Sequence, residues 1–267
     1  MTYIDKTTPG HFTWIELATT DLASAKAFYA ETFGWTTTDV PAGPAGTYTM
    51  GSLDGRDLCG MYALADEQLQ MGVPPHWMIY VAVEDTAKTV AKAKELGATV
   101  LVDTMRVMDK GIMAVFQSPT GEAFSVWQTL EEKANGIKDV PGAVSWIELM
   151  TKDVEKSKAF YGELFGWDRV PMPMKDMQGR DFEYTLIQVG NEQQGGMMQM
   201  GEEFGPIPSH WMVYFLSDNT DDTTNRVVSG GGSVVVPPTD IPVGRFAVVQ
   251  DPQGATFSVI KLTENNC

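Results

Sequence analysis

The chain has 267 residues, of which 43% are hydrophobic, so it is long enough to form two domains with a sizeable core in each. Acidic residues outnumber basic residues by 35 to 19, which gives a formal charge of −16. Because no Lys/Arg cluster interrupts this excess, the composition argues against binding to nucleic acid or to an anionic membrane surface.

The two cysteines, Cys59 and Cys267, form neither a disulfide framework nor a zinc motif. The polar segment Met1–Lys6 lacks the apolar core of a signal peptide, and no apolar run is long enough to span a bilayer. The first nine residues are expected to form a loose arm. The sequence therefore predicts a soluble cytoplasmic protein, either a monomer or a homodimer.

The first predicted unit begins with a strand at residues 12–19, which places Trp14 and Glu16 on one face. Asp21 is expected to cap the helix that follows, and Gly34 to end it. Three short strands are predicted next, at Thr36–Asp39, Thr47–Leu53 and Leu58–Leu64. The unit is therefore β-α-β-β-β.

The same order of elements then returns. A strand is predicted at His76–Val83, and a helix follows from Asp85 to Gly97. The next predicted strands are Thr99–Met105, Ile112–Gln117 and Ala123–Gln128. The segment that follows is charged and then carries Gly and Pro, so residues 131–141 are expected to link two domains.

Both units are written a second time after this linker. The segment Trp14–Leu17 is repeated as Trp146–Leu149, 132 residues later, and His76–Met78 is repeated as His210–Met212. The helix expected at Thr220–Ser229 contains weak helix formers, which predicts a short helix. The repeat predicts an α+β fold of four βαβββ units, arranged as two tandem domains with cupped mixed sheets at residues 10–130 and 142–262.

The motifs Asp21–Tyr29 and Phe33–Trp35, with a Pro-x-Gly turn before the last strand, resemble the vicinal oxygen chelate superfamily. That group includes glyoxalases, bleomycin-resistance proteins and extradiol dioxygenases. Within it, the Trp-x-Glu-Leu strand and the segment Gly195–Met198 are similar to tandem-repeat glyoxalase-like proteins of actinobacteria. The resemblance covers nearly the whole chain and implies the fold rather than one activity, because the fold hosts several chemistries.

Metal-using members of that superfamily place His, Gln or Glu at positions that can be counted in this sequence. These positions are occupied here by Trp14, Met78 and Ser125 in the first half, and by Trp146, Met212 and Ser258 in the second. Trp has no lone pair for a divalent cation, and Met and Ser are poor ligands beside His and carboxylate. We therefore expect no divalent metal centre and no cofactor.

A cupped sheet without a metal leaves a hollow with aromatic and Met walls, which suits a flat or adaptable organic ligand. The residues predicted to bind such a substrate are Trp14, Met61, Met78, Tyr80 and Ser125 in the first half, and Trp146, Met197, Met212, Tyr214 and Ser258 in the second.

Four further residues, Glu16, His76, Glu148 and His210, are predicted to be catalytic. If Trp14 and Met78 face each other across antiparallel strands, then Glu16 faces His76 and Glu148 faces His210. If the first unit pairs with the fourth instead, Glu16 faces His210 and Glu148 faces His76. In either case the carboxylate would raise the pKa of the imidazole and fix its tautomer, which is an arrangement typical of a general base.

The sequence thus predicts a glyoxalase- or bleomycin-resistance-like protein that binds or converts a small organic molecule without the usual metal. Two alternatives stay open. One is a metal-dependent lyase, hydroxylase or dioxygenase with non-standard Glu and His ligands. The other is a non-catalytic module that binds a drug or metabolite, for which the acidic surface would help to capture a cation.

Overall fold

The computed structural model describes residues 2–42, 46–175 and 179–263, so Cys267 lies outside the described residues. The strands of the first half are β1 (Thr2–Ile4), β2 (Phe12–Thr19), β3 (Thr36–Pro41), β4 (Thr47–Leu53), β5 (Arg56–Ala63), β6 (His76–Ala82), β7 (Thr99–Val107), β8 (Gly111–Gln117) and β9 (Ala123–Thr129). The remaining strands are β10 (Gly136–Lys138), β11 (Val144–Thr151), β12 (Asp168–Lys175), β13 (Asp181–Val189), β14 (Glu192–Gln199), β15 (His210–Leu216), β16 (Ser233–Ile241), β17 (Gly244–Gln250) and β18 (Thr256–Leu262). The helices are α1 (Leu22–Phe33), α2 (Asp66–Gln70), α3 (Thr86–Glu95), α4 (Val154–Phe165) and α5 (Thr220–Ser229), with a 3-10 helix at Glu202–Phe204.

The strands form two mixed sheets, one in each half of the chain. The first has the order β3-β4-β5-β2-β6-β9-β8-β7 and is extended beside β5 by β10 and β1. The second has the order β12-β13-β14-β11-β15-β18-β17-β16. At the centre of each sheet the first strands of two consecutive units pair antiparallel, β2 with β6 and β11 with β15. The predicted α+β fold of βαβββ units is confirmed, and the first unit pairs with the second rather than with the fourth.

The helix boundaries follow from capping residues that the sequence shows directly. The Asp21 carboxylate accepts a hydrogen bond from the backbone N–H of Ser24, and Gly34 ends α1 with a left-handed backbone at φ 77°. Asp153 and Gly166 do the same for α4, where the glycine has φ 71°. Glycine adopts this conformation without the strain that a β-carbon would add, so both helices end at the same place.

Helix α5 is longer than predicted, since it extends over ten residues. The Asn219 side chain accepts hydrogen bonds from the backbone N–H groups of Asp221 and Asp222, and Val227 is fully buried. The cap and the packing of one helix face therefore outweigh the weak intrinsic propensity of its Thr and Asp residues.

The N-terminal arm and the linker are also more ordered than predicted. Strand β1 in the arm pairs antiparallel with β10 in the linker, and β10 joins the edge of β5. The guanidinium of Arg56 lies 4.3 Å from the centre of the Tyr3 ring, which adds a cation–π contact. Short β-forming segments at both ends of a domain can satisfy each other's backbone groups, a pairing that no local pattern reveals.

One hydrophobic core extends through both halves of the molecule. Tyr29 and Phe33 of α1 contact Phe257 and Phe215 of the second sheet, with ring centres 5.8 and 5.2 Å apart. Helix α4 packs against the first sheet in the same way. Each sheet therefore presents one face to this shared core. We call the opposite face, which carries Trp14 in the first half, the hollow face of each sheet.

Buried hydrogen bonds cross between the halves in matched pairs. The Tyr29 hydroxyl donates to Asp251 at 3.1 Å, and the Tyr161 hydroxyl donates to Glu122 at 2.9 Å. Burial raises the pKa of the Asp251 carboxyl above its ordinary value. These hydrogen bonds fix helices α1 and α4 to the last β-turn of the opposite half.

No helix among the described residues is long and apolar enough to cross a membrane.

Candidate functional site

The register of the central strand pair differs from the predicted one by two residues. Glu16 lies opposite Met78, and His76 lies opposite Ala18. The predicted pairing of Glu16 with His76 is therefore wrong, although both side chains still project from the hollow face. They are diagonal neighbours, for which the Cα atoms lie about 7–8 Å apart.

The error has a geometric cause. Two residues related by a twofold axis face each other only when they lie on the axis itself. Here the pair on the axis is Ile15 and Ile79, both of which are buried in the core. Trp14 and Met78 are equivalent positions on either side of that axis, so they do not face each other.

The second half shows the same displacement. Glu148 lies opposite Met212, and His210 lies opposite Met150. The predicted pair of Glu148 with His210 is wrong for the same reason. The register thus removes the carboxylate–imidazole pairs, and a catalytic role for either histidine stays a prediction without that support.

In place of a histidine, the first carboxylate has two tyrosine partners. The Tyr80 hydroxyl donates to Glu16 Oε2 at 2.8 Å, and the Tyr48 side chain lies beside the same carboxylate and lowers its pKa. Trp14 Nε1 donates to the Tyr48 hydroxyl at 3.1 Å. Trp14, Tyr48, Glu16 and Tyr80 thus lie together on the hollow face, joined in two hydrogen-bonded pairs.

The second half builds the same chain from equivalent residues. The Tyr184 and Tyr214 hydroxyls donate to opposite oxygens of Glu148, at 2.7 and 2.8 Å. Trp146 Nε1 donates to the Tyr184 hydroxyl at 2.8 Å. Only 7% of the Glu148 surface is exposed.

Burial raises the pKa of both carboxyls, while the tyrosine hydrogen bonds lower it by a smaller amount. The pKa of Tyr80 and of Tyr214 lies well above the ordinary value, because of burial and of the adjacent carboxylate. An ionised carboxylate offers about four acceptor positions, of which the tyrosines use two. Each glutamate can therefore accept a proton or a hydrogen bond from a ligand.

Neither Tyr48 nor Tyr184 was predicted, yet the sequence holds a signal for them. Gly60 lies beside Glu16 on the neighbouring strand, and a β-carbon there would overlap the Tyr48 hydroxyl. Gly196 makes the same space for Tyr184. A glycine inside a strand often marks such a close approach.

Met61 and Met197 do not line the hollow, contrary to the prediction. Both are fully buried in the shared core. Met61 is paired with Leu17 of β2, so it shares the core face of the sheet. Because side chains alternate along a strand, the preceding residues, Gly60 and Gly196, occupy the hollow face instead.

The predicted serines do lie on the hollow face. Ser125 is opposite Tyr80, and Ser258 is opposite Tyr214, each on the adjacent parallel strand. Both hydroxyls are buried, and neither has a hydrogen-bond partner among the residues that the structure describes. Each hydroxyl therefore keeps unused hydrogen-bonding capacity next to the tyrosine that donates to the carboxylate.

The divalent metal that metal-using relatives of this fold carry does not fit these residues. Within the described ranges no three His, Cys, Asp or Glu side chains come together. In the second half each Glu148 oxygen already accepts a tyrosine O–H, and His210 lies two residues away along the sheet. The donor set does not support the alternative of non-standard Glu and His metal ligands.

Residues 10–126 and 143–259 each match the sequence profile of the Glyoxalase/Bleomycin resistance protein/Dioxygenase superfamily. The chain is 35% identical over 250 residues to CFP32 of Mycobacterium bovis, provisionally named a glyoxylase, and the match covers 93% of both chains. It is 33% identical over 269 residues to the anthracycline biosynthesis protein DnrV of Streptomyces peucetius, covering 96% of this chain and 94% of that one.

Among solved structures, the Mn(II)-bound glyoxalase from Novosphingobium aromaticivorans matches with a TM-score of 0.64. The match covers 97% of this chain and 83% of the other, at 16% identity, so it concerns the fold alone.

Proposed function

Because the chain belongs to the Glyoxalase/Bleomycin resistance protein/Dioxygenase superfamily, in two tandem copies, we propose that its hollow faces bind a flat organic molecule. The molecule carries a hydroxyl or amino group that donates a hydrogen bond to the central glutamate. Binding requires no divalent metal.

The observation that carries this proposal is the carboxylate beside two tyrosines in each half, hydrogen-bonded by Tyr80 in the first half and by Tyr184 and Tyr214 in the second. Its free acceptor positions select a ligand with an O–H or N–H donor, because an unmatched buried carboxylate is costly. The half-buried rings of Trp14 and Tyr48 and the thioether of Met78 supply adaptable apolar walls around it.

The relatives support the same class of ligand. One of them is named for anthracycline biosynthesis, and an anthracycline is a flat, polycyclic, hydroxylated molecule that bears an amine. The formal charge of −16 would raise the local concentration of a cationic amine near the protein. We infer a polycyclic aromatic ligand of this kind.

Fluorescence titration with daunorubicin, a readily obtained anthracycline, tests the proposal. We expect Glu16→Gln and Tyr48→Phe to weaken binding to the first half about 10- to 100-fold, the range set by a hydrogen bond to a charged group. The matched control is Glu31→Gln, which changes an exposed carboxylate of α1 and should leave the Kd unchanged. Equal affinity for all four proteins would contradict the proposal.

The raised pKa of each glutamate favours a second candidate function, which is proton transfer. A carboxylate with a pKa closer to neutral is a better general base than an ordinary one. In a glyoxalase-like isomerisation it would take the proton from the carbon that bears the hydroxyl and the sulfur and return it to the neighbouring carbonyl carbon, while the hydroxyl proton passes to the former carbonyl oxygen. We expect such turnover of the methylglyoxal–glutathione hemithioacetal to resist EDTA and to vanish in the Glu16→Gln/Glu148→Gln variant. If the unmodified protein shows no turnover, proton transfer is excluded and ligand binding is the one proposed function that remains.

A further inference from the structure

The second half carries three neighbouring side chains that suit a soft cation. Met198, Met150 and His210 lie in direct register on the adjacent strands β14, β11 and β15. Neighbouring strands are about 4.8 Å apart, and residues in register project from the same face. The two thioethers and the imidazole therefore stand in one row across the hollow face.

Further thioethers lie against this row. Met150, Met200 and Met212 form a buried cluster with exposed fractions of 8%, 4% and 6%, and Met198 packs against it. Four methionine side chains thus converge at the end of the sheet where His210 begins β15. This cluster is separate from the aromatic core shared by the two halves.

A backbone carbonyl fixes the tautomer of His210. His210 Nδ1 lies 2.9 Å from the Pro208 carbonyl oxygen, and since a carbonyl only accepts, Nδ1 carries the proton. In the neutral ring Nε2 then holds the free lone pair. A backbone carbonyl that orients the non-ligating nitrogen in this way is typical of metal-binding histidines.

We propose that Met150, Met198 and His210 form a binding site for a soft monovalent cation, Cu⁺ or Ag⁺, with Met200 or Met212 as a further thioether. Thioether sulfur is a soft donor that selects Cu⁺, while Mn²⁺, Fe²⁺ and Zn²⁺ prefer carboxylate and imidazole. The site uses neither Glu148 nor the tyrosines that hold it, so it does not depend on the proposed function.

The first half provides a matched control within the same molecule. There the equivalent row is Tyr62, Ala18 and His76, again in direct register on adjacent strands. His76 Nδ1 also contacts a proline carbonyl, that of Pro74, at 2.8 Å. The first half therefore has the same histidine in the same tautomer, but the two residues in register with it on the adjacent strands are Ala18 and Tyr62 rather than methionines.

The test is anaerobic titration with Cu⁺ against the chelator bicinchoninate, in a Cys267→Ser background because a terminal thiol would compete for copper. We expect one equivalent per chain. Met150→Leu, Met198→Leu and His210→Asn should each weaken binding about tenfold or more, and His76→Asn should have no effect. Leucine nearly preserves the methionine volume, and circular dichroism would check that each variant is folded.

A second readout locates the ion directly. In protein labelled with [methyl-13C]methionine, Ag⁺ should shift the resonances of Met150 and Met198 and leave that of Met78 in place. The proposal is overturned if Cu⁺ binds no better than to the Met150→Leu/Met198→Leu variant, or if Ag⁺ shifts no methyl resonance of the second half.

Discussion

The two hollow faces share one polar network but differ in what surrounds it. Both hold a glutamate between two tyrosines, with a tryptophan bonded to one of them. Around Glu148 the walls are buried methionines, including Met150 and Met212, and Phe204 of the 3-10 helix packs against them. The equivalent positions around Glu16 include Ala18 and the half-buried Met78.

The polar residues are therefore the part of the hollow that the two halves share, and the apolar walls are the part in which they differ. A Trp, a Glu and two Tyr residues occupy equivalent positions in both halves, whereas the apolar positions differ. Glu16 is half-buried, whereas only 7% of the Glu148 surface is exposed. In the second half four methionines pack together beside the network, and the soft-cation site proposed there uses these thioethers rather than Glu148.

The largest expected effect is a loss of stability, which should differ between equivalent methionines in the walls of the two hollows. Met212→Ala should lower the free energy of unfolding by about 2–5 kcal/mol, because the side chain is 6% exposed and a cavity would remain. Met78→Ala should cost clearly less, since half-buried Met78 already contacts solvent. Denaturant unfolding of both variants measures this, and equal losses would break the comparison.

The next effect tests whether the polar network is equivalent in the two halves. Gly60→Ala and Gly196→Ala would each push a tyrosine hydroxyl from its place beside the carboxylate. Overpacking of this kind costs about 1–3 kcal/mol. The loss should be larger for Gly196→Ala, because Tyr184 is 6% exposed while the half-buried Tyr48 can move toward solvent. Chemical denaturation checks it, and a larger loss for Gly60→Ala would reverse the comparison.

The fold could be predicted from the sequence because its signals are local and written twice. The caps Asp21 and Gly34, and the constant offset between the Trp-x-Glu-Leu strands, needed no knowledge of distant contacts. The partner of Glu16 could not be found in this way. That partner depends on the register of β2 against β6. The predicted register places the local twofold axis at Trp14, one residue from its true position at Ile15.

The tyrosines were missed for a related reason. Tyr48 of β4 reaches toward Glu16 of β2 over Gly60 of the strand between them, β5. A periodic pattern shows which face of a strand a residue takes, but not which residues it contacts across the sheet. The same limit explains the misplaced Met61: one residue of phase along a strand moves a side chain from the hollow to the core.

The pH dependence of stability sharpens the comparison further. Burial raises the folded-state pKa of Glu16 and Glu148 above the unfolded value of about 4.3. Their protonated forms therefore stabilise the fold below that pH, and this contribution is lost as the pH rises through the folded pKa. The decline in unfolding free energy with rising pH should therefore be shallower in both variants. The change should be larger for Glu148→Gln than for Glu16→Gln, because Glu148 is buried and Glu16 is half-buried. Unfolding free energies between pH 4 and 8 test it. An identical pH profile in the unmodified protein and both variants would contradict the prediction.

The smallest effect concerns the tryptophan end of each network. Trp14→Phe and Trp146→Phe keep an aromatic ring but remove the Nε1–H that donates to Tyr48 or Tyr184. A neutral hydrogen bond contributes about 0.5–1.5 kcal/mol net, and more is lost when the remaining partner is shielded from water. The half-buried Tyr48 can form a hydrogen bond to water instead, so the loss of unfolding free energy in Trp14→Phe should lie at the low end of this range. Tyr184 is 6% exposed and receives the shorter bond, 2.8 against 3.1 Å, so Trp146→Phe should fall at the high end. Equilibrium unfolding in urea resolves a difference of this size, and a larger loss in the first half would show that its network is the more enclosed.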